Sequence, residues 1–230
     1  MHSAVIIAGG RSTRFGDDDK AVAPLAGTPM IRRVADRLEP VVDELVVNCR
    51  EDQRDAIEEA LADYELPTTY ALDPETDQGP MAGIRNGCRA AEGEFAAVVA
   101  CDMPFVDPAA ITYLFDRASG DVPPPEDADD GCSSPSSTIA DYEGEPPFDA
   151  AVPRLGDGWY QTTQAVYRPD AMAAACDAAL ERGDRKILAP LEDLSYTVVS
   201  EAELEGVTDF ASFENLNTQA EFEDAAARLS

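Results

Sequence analysis

This sequence predicts an α/β fold with a doubly wound, mostly parallel sheet and helices on both faces, and three observations predict it. Short aliphatic runs at Val5 to Ala8, Glu44 to Cys49, Thr69 to Leu72 and Phe95 to Cys101 are separated by segments of helical periodicity. The first of them, Val5 to Ala8, does not alternate apolar with polar residues, which is the pattern of a strand buried on both faces. Each run also stops at a glycine or a polar residue, at Gly9, Asn48, Asp73 and Asp102. In an open, Rossmann-like sheet ligands bind beyond such strand ends, so four of them converge on one crevice.

Taken in order, Val5 to Ala8 is the first strand. Thr28 and Pro29 read as an N-cap and a first-turn proline, opening a helix with the stripe Ile31, Val34, Ala35 and Leu38 that runs until Pro40. After the strand Glu44 to Cys49, a helix is expected from about Asp52 to Tyr64, with Ile57, Ala60 and Leu61 inward. Thr69 to Leu72 is a short third strand. Gly79-Pro80-Met81-Ala82-Gly83 reads as a loop feeding a helix through Ile84, Cys88 and Ala91, and Phe95 to Cys101 is the most apolar strand.

From Ser119 to Pro147, proline, serine and acidic residues replace apolar periodicity, and a disordered insertion is expected there within a single domain spanning 1–230. Asp149 to Leu155 and Gln161 to Tyr167 read as a hairpin-like pair of strands around Gly156-Asp157-Gly158, followed by a helix through Met172 and Leu180. Ser195 to Val199 is a late strand. The tail from Thr218, with Phe222, Ala225, Ala226 and Leu229 at helical spacing, is an amphipathic helix.

Composition excludes several classes of function. A formal charge of −29 on 230 residues repels phosphate chains and argues against nucleic-acid binding. Such an acidic, lysine-poor surface is expected of a protein working in concentrated salt, where screening shortens the reach of self-repulsion. The single histidine, His2, leaves triads and histidine bases without a residue to use. Five scattered cysteines, with no CxxC pair, predict neither disulfides nor a zinc site. With no secretion signal and no membrane span in view, a cytoplasmic location is expected.

The segment Val5-Ile6-Ile7-Ala8-Gly9-Gly10-Arg11-Ser12-Thr13-Arg14-Phe15-Gly16, with Lys20 after it, carries the strongest chemical signal. Gly9, Gly10 and Gly16 let main-chain N–H groups approach phosphate oxygens, and Arg14 and Lys20 supply compensating charge. Lys20 is one of two lysines in the chain, which marks a place for a compact point charge.

These residues resemble the nucleotidyltransferases, and more narrowly the molybdenum cofactor guanylyltransferase family of the MobA type. The resemblance rests on Ile7-Ala8-Gly9-Gly10 with Arg14, Gly16 and Asp19-Lys20; on Asp73 with Gly79-Pro80-Met81-Ala82-Gly83; on Cys101-Asp102-Met103-Pro104; and on Asn215-Leu216-Asn217-Thr218. It implies a nucleotidyltransferase-type fold and transfer of GMP from GTP to the terminal phosphate of molybdopterin or the molybdenum cofactor, with Mg²⁺ and release of pyrophosphate. It further implies that Ile7, Ala8, Gly9, Gly10, Lys20, Asn48, Asp73 and Asp102 hold GTP, that Asp102 binds Mg²⁺, and that Lys20 and Arg14 stabilise transition-state charge. Asn215 and Asn217 would face the pterin, Arg185 and Lys186 would meet the acceptor phosphate, and molybdoenzymes or cofactor-biosynthesis proteins would be partners.

Alternatives stay open at this point. A related enzyme using CTP with molybdopterin, a cobinamide phosphate or a sugar phosphate shares the glycine loop, and so does a non-catalytic cofactor chaperone. Asp102 also reads as a strand-end turn former, Asn48 as an ordinary strand terminus, and Asn215 and Asn217 as caps of the last helix. Arg185 and Lys186 also read as a solvated pair. The chain departs from the family's pattern in the acidic run Asp17-Asp18-Asp19, in Gln219 where proline is usual, and in the Ser119 to Pro147 stretch.

Overall fold

The computed structural model describes residues 1–10, 19–73, 79–125, 148–156 and 158–229. In chain order β1 (His2–Ile7) leads through the glycine segment to a two-residue antiparallel pair, β2 (Pro24–Leu25) and β3 (Thr28–Pro29), and then to α1 (Met30–Leu38). Thr28 and Pro29 therefore belong to a strand pair, one step short of the helix they were expected to open, because Met30 N–H is held by Ala23 O at 3.1 Å. β4 (Glu44–Cys49), a single 3₁₀ turn and α2 (Arg54–Ala60) follow. That helix is shorter than the expected Asp52 to Tyr64.

Next come β5 (Thr68–Leu72), α3 (Pro80–Ala90) and β6 (Phe95–Ala100). The Gly79 to Gly83 segment is only partly a loop. Gly79, at φ +81°, is the N-cap, and Pro80 opens the first turn, where a missing N–H costs nothing. α4 (Pro108–Ser119) was not anticipated, although Asp107 caps it through Ala109 N–H and Gly120, at φ +86°, ends it. Ser119 thus closes a helix, so the expected insertion starts after it, and most of that stretch lies outside the described residues.

The second half comprises β7 (Ala150–Arg154), β8 (Gln164–Tyr167), α5 (Pro169–Glu181), β9 (Tyr196–Ser200), α6 (Glu201–Leu204) and α7 (Gln219–Arg228). The main sheet has the order β5-β4-β1-β6-β8-β7-β9. β5, β4, β1 and β6 run parallel, β8 is antiparallel to β6 and β7, and β9 is parallel to β7. The sheet is mostly parallel, and β7 and β8 pair antiparallel as expected of the hairpin.

Successive side chains of each strand feed opposite faces. Ala4, Ile6, Val47 and Val99 pack with α1, α2 and α4 through Ile31, Val34, Ile57, Ile111 and Leu114. Val5, Val46, Val98 and Tyr167 pack on the other face with α3 and α5 through Ile84, Cys88, Met172 and Cys176. Gly87 lets α3 lie directly on β1: a Cβ there would meet Val5 Cγ1 at 2.3 Å. A satellite cluster of Leu25, Met30, Leu216 and Ala225 folds α7 back over the β2–β3 pair. Among the described residues, no helix is long and apolar enough to cross a membrane.

Candidate active site

Register places the strand ends at one level. Ile7 pairs with Asn48 and with Ala100, and Asn48 pairs with Ala71, so one row crosses β5, β4, β1 and β6. Gly9, Asp73 and Asp102 each stand two residues beyond that row. Asp73 and Asp102 are separated by three strand spacings, about 14 Å at ~4.8 Å each. Two carboxylates that far apart cannot grip one atom. They stand at opposite ends of the row, with the glycine segment between them.

The start of that segment is tied down from behind. Ala8 N–H donates to Asn48 O at 2.8 Å, which continues the β1–β4 pairing one residue past the strand. Arg50 Nη1 donates to Gly9 O at 3.2 Å and to Gly10 O at 3.1 Å. Gln53 Nε2 donates to Ala8 O at 3.0 Å and to Asp19 Oδ2 at 2.7 Å, and its Oε1 accepts from Arg50 N–H at 3.0 Å. Sequence reasoning missed both side chains. They sit in the turn before α2, where nothing but proximity in the fold marks them. Arg14 and Gly16 lie outside the described residues.

Lys20, buried, donates from Nζ to Asp102 Oδ2 at 2.7 Å. Its backbone sits in a 3₁₀ turn that Asp19 caps by accepting from Ala21 N–H at 3.0 Å. Asp19 thus spends its charge on local N–H donors and on Gln53, which explains one of the three acidic residues beside the expected triphosphate. The other oxygen of Asp102, Oδ1, is buried with no hydrogen-bond partner among the described residues.

At the far end Asn48 Nδ2 donates to Ala71 O at 3.0 Å and to Asp73 Oδ1 at 2.7 Å. Asn86 Nδ2, from α3, donates to the same oxygen at 3.0 Å. Asp73 Oδ2 faces Gly9, where a Cβ would lie 2.5 Å from it. Asn48 Oδ1 is buried with no hydrogen-bond partner among the described residues, and a Cβ on Gly83 would approach it to 2.4 Å. Glycine at 9 and 83 therefore leaves the Asn48–Asp73 pair the room it occupies. Asn86 was also missed, being an ordinary polar residue within a helix.

Asn215 and Asn217 come to the same edge. Leu216 N–H, between them, donates to Asp102 O at 3.0 Å, and Leu216 is buried in the satellite cluster. Asn217 N–H and Thr218 N–H both donate to Glu221 Oε2, at 2.6 and 2.8 Å, and Thr218 Oγ1 caps α7. The capping role therefore belongs to Thr218 and Glu221. Arg185 and Lys186 are exposed in the turn after α5. Because β8 runs against β6, α5 climbs back and ends at the carboxyl edge, with Asp177 reaching Arg85 of α3 at 3.6 Å.

This edge suits phosphoryl transfer without a protein nucleophile. Burial pushes the Cys49 thiol up to about 12, so no thiolate is present there at neutral pH. Among the described residues no group of three or more His, Cys, Asp or Glu is gathered to hold a metal. The orphaned Oδ1 of Asp102 is nonetheless a hard oxygen donor of the kind magnesium takes one or two of, filling its remaining positions with phosphate and water. The residues fit a metal brought with a nucleotide.

The MobA-like NTP transferase domain matches residues 4–195, most of the chain. The chain belongs to this family. A probable molybdenum cofactor guanylyltransferase of Natronomonas pharaonis is 42% identical over 228 residues, covering 99% of this chain and 98% of that one. Its counterpart in Methanosarcina mazei is 30% identical over 229 residues, covering 97% and 89%. The solved molybdopterin-guanine dinucleotide biosynthesis protein A of Archaeoglobus fulgidus superposes with a TM-score of 0.71 at 25% identity, over 99% of this chain and 98% of that one. Like other MobA-like transferases this protein is a nucleotidyltransferase, and the doubly wound fold expected from its strand pattern is the family's fold.

Proposed function

We propose that this protein is a molybdenum cofactor guanylyltransferase, moving GMP from GTP to the terminal phosphate of molybdopterin or its molybdenum form, in one catalytic domain that carries the acidic stretch as an insertion. The observation that carries the reading is the shared level of Gly9, Asp73 and Asp102 along the carboxyl edge, with Lys20 set on Asp102.

Asp73 Oδ2, facing Gly9, accepts from the adjacent N1–H and N2–H donors of a guanine edge, an arrangement that cytosine does not present. Main-chain N–H groups of the glycine segment bind phosphate oxygens, and Lys20 supplies charge at the α- and β-phosphates. Arg14 adds a second cation. An oxygen of the acceptor phosphate attacks the α-phosphorus in line, the bond to the bridging oxygen breaks, and pyrophosphate leaves. The acceptor phosphate, with a second pKa near 6, is already ionised at neutral pH, so no base is required. Mg²⁺, when held by Asp102 and the phosphates, supplies Lewis-acid polarisation of the α-phosphate and charge for the leaving group. Asn215 and Asn217 offer amides to the pterin, with Arg185 and Lys186 at the same edge for its phosphate.

The test is incubation with each nucleoside triphosphate, Mg²⁺ and molybdopterin, followed by mass analysis of the product. The guanine dinucleotide and one pyrophosphate per turnover are expected. A cytosine product, or binding without pyrophosphate release, would replace this reading with the CTP enzyme or the chaperone.

A further inference from the structure

We infer that Arg50 and Gln53 are positioning residues for nucleotide binding, acting as a clasp that aims the N–H groups of the glycine segment. This deepens the nucleotidyltransferase reading and rests on it.

Three consecutive carbonyls of the segment, those of Ala8, Gly9 and Gly10, are drawn to one side by two side chains of the turn before α2. A trans peptide points its N–H opposite to its C=O. Holding the Ala8 carbonyl on the α2 side therefore turns Gly9 N–H the other way, and holding the Gly9 carbonyl does the same to Gly10 N–H. Backbone donors aligned in this way form an anion cradle. Without the clasp, two glycines in succession would sample many conformations, and binding would have to order them.

Gln53 does a second thing. Both polar atoms of its carboxamide are engaged: Oε1 takes Arg50 N–H, while Nε2 serves both Ala8 O and the Asp19 carboxylate. Ala8 precedes the glycines and Asp19 precedes Lys20, so one buried amide pins both ends of the phosphate segment. Asp19 in turn caps the turn that carries Lys20 to Asp102. Gln53 thus fixes the relation between the N–H donors and the lysine.

Calorimetric titration of the whole protein with GTP and with CTP, both with Mg²⁺, tests this on wild type, Arg50→Gln and Gln53→Met. Molybdopterin kinetics on the same proteins give the KM for each substrate. Both variants are expected to weaken GTP binding at least tenfold and to raise the GTP KM in step, while the acceptor KM moves less than twofold. A purely structural role would lower the melting temperature and the active fraction, leaving both KM values in place. GTP affinity within twofold of wild type in both variants overturns the clasp. Arg50→Gln, which keeps a polar side chain at a partly exposed position, keeps the test open if Gln53→Met does not fold. The wild-type arm judges the parent reading separately: tighter CTP binding removes the guanylyl assignment and moves the clasp measurement to CTP, whereas no binding of either nucleotide overturns both.

Discussion

Lys20 and Asp102 hold each other at 2.7 Å, so the cation expected on the triphosphate and the carboxylate expected on the metal form one ion pair. The pairing neutralises two charges at the sheet edge where neither is fully exposed. It also means that a metal ion arriving alone must compete with the lysine, whereas a nucleotide brings phosphates that can take the lysine over.

Replacing Asp102 by Asn removes the carboxylate charge but keeps the shape and the Leu216 contact to its backbone. Pyrophosphate release is expected to fall about a hundredfold or more, the scale of losing one group that stabilises developing charge. A folded Asp102→Asn protein with full activity would remove Asp102 from the metal role.

Lys20→Met separates competition from catalysis. Turnover should drop steeply, yet Mn²⁺ titrated into the nucleotide-free variant should bind more tightly than to wild type, because Asp102 no longer has its partner. Unchanged Mn²⁺ affinity would mean that the lysine does not guard the carboxylate.

Two glycines four residues apart on α3 should fail differently when changed to alanine. Gly87→Ala drives a methyl into Val5, which costs about 1–3 kcal/mol of stability as an overpacked core. Gly83→Ala drives it into the Asn48 amide, so nucleotide affinity should suffer first. Urea melts and GTP titrations on both variants distinguish the two effects.

Arg117 is fully buried and pairs with Glu203, while its Nη2 donates to Thr197 Oγ1 at 2.7 Å. Removing the arginine alone strands a buried carboxylate, so Arg117→Met is expected to cost about 3–5 kcal/mol in urea unfolding. Arg117→Met with Glu203→Leu should recover part of that loss. No recovery would mean that Glu203 matters more for capping α6 through Ser200 N–H, which it accepts at 2.8 Å.

The charge of −29 carries its own test. Thermal melts across a potassium chloride series should rise toward molar salt, where the screening length shrinks to about 3 Å. Equal melting temperatures at low and molar salt would leave the acidic surface without that explanation.

Much of the fold was legible because β1, β4 and β6 each carry an aliphatic run and the four parallel strands lead to chemically distinctive residues. The polar strand ends at Asn48, Asp73 and Asp102 were legible for the same reason, and register brings them to one edge of the sheet. Boundaries slipped where tertiary hydrogen bonds outvoted local preference: Thr28 and Pro29 look like a helix start, but the Ala23 carbonyl takes Met30 N–H and sets the helix one residue later. No expectation covered α4, although Asp107, Pro108 and Gly120 are ordinary boundary signals; only Ser119 and Gly120 of that region fell within the expected insertion. Arg50, Gln53 and Asn86 could not be found from pattern, since they act on carbonyls and carboxylates that are near only after the sheet has formed.

The reversal at β8 has a consequence for how such an enzyme diversifies. In the proposed reading the groups that would hold the base and the polyphosphate, from Gly9 to Asp102, precede it in the chain, whereas α5 and the tail follow it. Exchange of segments in this later half can retune the second reactant while the first keeps its seat, which gives one ancestral nucleotide platform a way to serve many different recipients.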